Sequence, residues 1–131
     1  MTRGPSGSPP PATVTLDSGK VVLAPLLEAV ADRYFAEFPG DLERYGDAAR
    51  EWELHDTAHC LQWAVLDVRG FASLERNIVW LANVLDARGF PLDQLARNLE
   101  LAAEVAAEPL GAPVAAALNA AAGSVRSVGA A

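Results

Sequence analysis

The chain has 131 residues, 10 Lys and Arg against 17 Asp and Glu, a net charge of -7 and 51% hydrophobic residues. That length suits one domain whose core needs no disulfide or structural metal, and an acidic chain without a Lys/Arg cluster has no surface for a nucleic-acid partner. Asp, Glu or Arg interrupts every apolar run before the ~20 residues that cross a bilayer, which argues against a membrane partner, and the lone Cys60 excludes an internal disulfide framework.

Residues 1–19 hold Gly4, Pro5, Gly7, Pro9, Pro10 and Pro11 with Ser6 and Ser8. Such a composition buries too little surface to offset ordering entropy, so a disordered N-terminal tail is expected, with no secretory signal and a cytoplasmic address. Thr13 to Leu16 alternates weakly and could form one short extended piece before the turn cluster Asp17-Ser18-Gly19. Residues 20–128 are expected to form the domain.

From Val21 the periodicity is helical. Pro25 fits a first turn, and Leu26, Leu27, Val30, Tyr34, Phe35 and Phe38 recur at spacings of three and four until Pro39-Gly40 stops the pattern. A second helix opens at Asp41 or at Asp47, depending on whether Gly46 breaks or bends the segment, and runs to about Arg69. A third, over residues 72–88, carries Leu74, Ile78, Leu81 and Leu85 on one stripe with Trp80 and Val84 beside it. Gly89 closes it and Pro91 restarts the chain, so the fourth helix, over 91–108, is its antiparallel neighbour. A fifth, over 113–127, is nearly all alanine; its helix propensity is high but it buries little, which predicts loose docking or fraying, with disorder over 129–131. The expected fold is an all-α bundle of four or five antiparallel helices with short connections.

The second helix is apolar on two sides. At 100° per residue, Leu54, Ala58, Leu61, Val65 and Val68 make one stripe, and almost opposite lie Trp52, His59, Trp63 and Leu66 with Asp56 at the edge. Such a helix is central in its bundle or keeps one face for something else. Cys60 falls on a polar strip amid acids and should be inert, and His55 falls on the other polar strip and should be solvated. His59, between two tryptophans, should bond Asp56 or a carbonyl and resist protonation.

His55 and His59 are also spaced i, i+4, as two imidazoles must be to reach one ion from a helix. The run His55-Asp56-Thr57-Ala58-His59 resembles the His-Glu-x-x-His of zinc peptidases, with Asp for Glu and no evident third ligand. No Gly-rich phosphate loop, nucleophilic serine pair or catalytic acid pair stands out, so no catalytic residue is assigned.

The expectation is therefore a non-catalytic binding or regulatory module. Its face of Trp52, Asp56, His59, Trp63 and Leu66 would receive a partner helix, a second copy of the chain or a small apolar ligand, with no cofactor required. The alternative is a metal- or cofactor-binding protein, with His55 and His59 holding a divalent ion such as zinc. One lysine against nine arginines agrees with a GC-rich bacterial source, whose small helical domains this chain resembles over residues 52–68, 79–81 and 89–92.

Overall fold

The computed structural model describes residues 9–130. The expected all-α bundle is what forms, with a small hairpin at its start. Strand β1 (Thr13–Leu16) pairs antiparallel with β2 (Gly19–Val22), with Thr13 opposite Val22 and Leu16 opposite Gly19. The order expected to begin near residue 20 thus begins earlier; the rest of the expected tail, residues 1–8, lies outside the described residues. Two four-residue strands have no stability of their own. They hold because Val14 is buried in the common core and the Arg69 guanidinium donates to the Thr15 carbonyl at 3.0 Å, tying the hairpin to the end of the long central helix.

Helix α1 (Ala24–Glu37) buries Leu26, Val30, Ala31, Tyr34 and Phe35. Gly46 then breaks the next segment rather than bending it: at φ +70° it separates a short α2 (Gly40–Tyr45) from α3 (Ala48–Val68). Neither Asp41 nor Asp47 caps a helix with its side chain.

The two apolar sides of α3 have a simple cause. It is the central helix, touching β1, α1, α2, α4, α5 and α6. Ala58, Leu61 and Val65 of the first stripe are buried, while Val68 at its end is exposed. Cys60, expected on a polar strip, is buried too, and burial pushes its thiol far up, so it stays an inert S–H.

Helix α4 (Leu74–Ala87) is capped by the Ser73 hydroxyl, which accepts from the Arg76 N–H at 3.2 Å, and its Leu74 N–H donates to Asp67 Oδ2 at 2.8 Å. It buries Leu74, Ile78, Ala82 and Leu85. Trp80, expected beside that stripe, is 61% exposed instead, because at 100° per residue it falls on the side of α4 opposite the buried Ile78 and Ala82. At the end of α4, Gly89 at φ +78° lets the Phe90 N–H return to the Leu85 carbonyl at 2.9 Å and the Gly89 N–H to that of Asp86 at 3.0 Å.

Helices α5 (Leu92–Ala106) and α6 (Ala112–Ala130) form the most extensive pair in the bundle. The alanine-rich segment is therefore firmly docked, neither loose nor frayed. Ala102, Ala103 and Ala106 on α5 and Ala121 and Ala122 on α6 are all buried, and their small side chains let the two helices approach closely. Val114, Leu118 and Val125 fill the larger gaps. The helix continues through Gly129, where disorder was expected, and rests there against Leu92. Among the described residues no helix is long and apolar enough to cross a membrane.

Candidate functional site

Where α2 meets the N-terminal half of α3 the packing is incomplete, and a cavity of about 60 Å³ remains. Helix α1 contributes Tyr34, α2 Asp41 and Tyr45, α3 Ala49, Trp52, Glu53 and Asp56, and α5 Gln94 and Asn98. Phe90 comes from the α4–α5 link, where the Gly89 turn delivers it, and its ring stacks on that of Tyr45 with centroids 6.1 Å apart. Leu85 and Leu95 close the apolar side.

Two hydrogen-bonded groups make up the polar wall. In the first, the Tyr34 hydroxyl donates to Asp41 Oδ2 at 2.5 Å, and Gln94 Nε2 donates to the same Asp41 oxygen at 2.9 Å and to the Tyr34 oxygen at 3.0 Å. Burial, reinforced by the Asp41 carboxyl, pushes the Tyr34 phenol far above its ordinary range, so it remains a donor. Asp41 is buried, and it lies within the first turn of α2, whose cap position is Pro39.

The second group is Glu53, Thr57 and Asn98. Thr57 and Asn98 are buried, and Glu53 is half-buried with its carboxyl turned toward them. Thr57 Oγ1 lies 3.2 Å from Glu53 Oε2, and the Asn98 amide reaches Thr57 at 3.0 Å. Burial raises the Glu53 carboxyl from the ordinary 4.5 to about 8; the neighbouring Asp56 and Asp41 add to the shift, and Thr57 and Arg50 oppose it. Asp56 is raised as well, again chiefly by burial, against the opposing bond from His55.

Of the side chains singled out from sequence, Trp52 and Asp56 reach the cavity. His59, Trp63 and Leu66 do not; they continue along α3 as a half-buried stripe. The rings of Trp52, His55, His59 and Trp63 form a continuous ladder with centroid separations of 5.8, 4.7 and 5.9 Å. It is His55, expected in solvent, that bonds Asp56, through Nδ1 to Oδ1 at 3.0 Å; His59 is held by its ring neighbours. Burial, with repulsion from His55, lowers the His59 imidazole and favours its neutral form.

Among the described residues the zinc alternative finds no third ligand. His55 and His59 meet edge to face, Nδ1 of His55 is engaged by Asp56, and no three His, Cys, Asp or Glu side chains converge as a metal set among the described residues.

Tyr34, Asp41, Tyr45, Glu53, Phe90, Gln94 and Asn98 were not singled out from sequence. Only Asn98 left a legible signal: it sits three residues after Leu95 and one before Leu99, a polar side chain within the buried side of α5. Compared with protein-family models, curated proteins and solved structures, the chain matches none.

Proposed function

We propose that the chain is a non-catalytic binding module whose ligand is a small organic cation. Its ammonium or guanidinium head would lie in the cavity between α1, α2, α3 and α5, and its apolar body along the adjoining stripe of His59, Trp63 and Leu66. One observation carries this reading: three acidic side chains, Asp41, Glu53 and Asp56, line the cavity together with the rings of Tyr45, Trp52 and Phe90, and the lining includes no Lys or Arg among the described residues. A cation is attracted both by carboxylates and by the faces of aromatic rings, most strongly where water is scarce. A volume of about 60 Å³ accepts a head group and not a whole substrate. Binding without chemistry is favoured because Tyr34, Asp41 and Glu53 are already engaged with one another's neighbours and hold no free nucleophile.

The test is titration with n-hexylammonium, followed by tryptophan fluorescence and calorimetry, with n-hexanoate as the anion of matching length. The expected result is binding of the amine alone, and its loss in Ala49→Leu, which fills the cavity from its apolar wall without removing a polar group. Equal binding of hexanoate, or amine binding unchanged in a folded Ala49→Leu, would overturn the proposal.

A further inference from the structure

Tyr34 and Gln94 spend their side-chain donors inside the cavity wall. Gln94 Nε2 gives its N–H bonds to the Tyr34 oxygen and to Asp41 Oδ2, and the Tyr34 hydroxyl also donates to Asp41 Oδ2. Asp41 is 7% exposed, yet its second oxygen, Oδ1, accepts no hydrogen bond among the described residues. No occluded side-chain oxygen among them lacks a partner, so Oδ1 is open, and the cavity that Asp41 lines is where it opens. On α3, Asp56 engages His55 through Oδ1, and its Oδ2 is likewise unclaimed among the described residues.

A ligand here must bring donors. A quaternary ammonium has no N–H, so it would displace water from two carboxyl oxygens and leave both unpaired, which costs affinity. An ammonium aims its N–H bonds from a single nitrogen and has no flat face. A guanidinium spreads five N–H bonds in one plane, so its edge donates to carboxyls while its face lies on an aromatic ring. The lining supplies such rings in Tyr45, Trp52 and Phe90. The chain uses the same combination elsewhere: the Arg69 guanidinium lies 5.4 Å from the Phe71 ring centre and donates to the Thr15 carbonyl at 3.0 Å. Its other arginines beside these residues stay outside the lining. Arg50 is shared between Glu28 and Asp32, Arg44 lies 6.0 Å from the Tyr45 ring centre, and Arg88 acts on the charge of Asp56 without a hydrogen bond to it among the described residues.

We infer that the ligand's head group is a guanidinium, donating to Asp41 of α2 and Asp56 of α3 from its edge and stacking on an aromatic ring of the lining. This rests on the binding reading above and names the class of cation. Asp41 is the selecting residue, and Asp41→Asn should reverse its effect. The amide oxygen of that variant has to take over the bonds from Tyr34 and Gln94, which puts the amide nitrogen in the place of Oδ1. A donor then faces the donors of the ligand. Each charge-assisted hydrogen bond that one head group makes and another cannot is worth about tenfold in affinity.

The experiment is calorimetric titration of the full chain with n-hexylguanidinium, n-hexylammonium and n-hexyltrimethylammonium, which share a charge and a tail and differ in their N–H bonds. The guanidinium should bind about tenfold more tightly than the ammonium, and the trimethylammonium not measurably. In Asp41→Asn the guanidinium should lose its advantage. The three ligands on the unaltered chain decide the matter if that variant does not fold. N-acetyl-arginine amide carries the same head group on a polar body and should bind more weakly than n-hexylguanidinium; equal or tighter binding would make the ligand an arginine side chain and overturn the small-molecule reading. A trimethylammonium that binds, an ammonium that matches the guanidinium, or a preference kept by a folded Asp41→Asn would overturn the guanidinium assignment and leave the binding proposal standing. No binding of any of these cations would overturn both.

Discussion

Replacing Glu53 by Gln should make the protein more stable at alkaline pH and leave it nearly unchanged in acid. The folded state holds the Glu53 proton up to about pH 8, whereas an unfolded glutamate gives it up near 4.5. Between those values the native chain binds a proton that the unfolded chain lacks, so stability falls as pH rises through this window and is constant beyond it. The interval sets a ceiling on the order of 5 kcal/mol. Relaxation and water entering the adjoining cavity reduce that to roughly 2 kcal/mol. A glutamine amide, like a neutral acid, keeps both a donor and an acceptor for the Thr57 and Asn98 side chains, without the charge. The variant should thus match the unaltered chain near about pH 4 and exceed it by about 2 kcal/mol near about pH 9. For a domain of this size that is a rise in melting temperature of about 8 °C. Thermal and urea melts followed by circular dichroism across the range measure it. Glu37 and Glu100, whose carboxyls are held low by Arg97 and Arg126, impose their own trends on both proteins, so the difference between the two isolates Glu53. A difference that does not change with pH, or a variant less stable in alkali, would refute the reasoning.

Two further substitutions test the packing. Leu118→Ala removes a fully buried side chain from α6 and should cost about 3 kcal/mol, lowering the melting temperature by about 12 °C; a loss under about 1 kcal/mol would show that the alanine-rich helix is not docked as described. Trp80→Ala, at a side chain 61% exposed, should change stability by less than about 0.5 kcal/mol in a urea melt, whereas the same change at a buried tryptophan costs about 3–5 kcal/mol.

Much of the fold was legible because helix signals are local. The stripe of Leu74, Ile78 and Leu85, the stop at Gly89 and the restart at Pro91 act through neighbours a few residues away, and the structure places α4 and α5 accordingly. The hairpin was only half visible: Thr13 to Leu16 alternates, but its stability comes from Val14 in the core and Arg69 on Thr15, contacts made across the whole domain. The site was less legible still. Trp52 and Asp56 were found because α3 carries too many apolar positions for one face, while Tyr34, Asp41 and Gln94 come from three separate helices and meet only after the bundle closes.

By itself, the sequence determined the class of the fold and the singular character of α3, since both follow from periodicity, glycine and proline acting within a few residues. Only the tertiary structure decided what that character is for. It made α3 central, surrounded it with five helices and a strand, and so buried Cys60 and half-buried His55, which a helical wheel left in solvent. It also brought Glu53 to Asn98, 45 positions along the chain, in a place where water is scarce. A carboxyl group's proton affinity depends on that place and not on its neighbours in sequence, which is why it could not be read before the chain was folded.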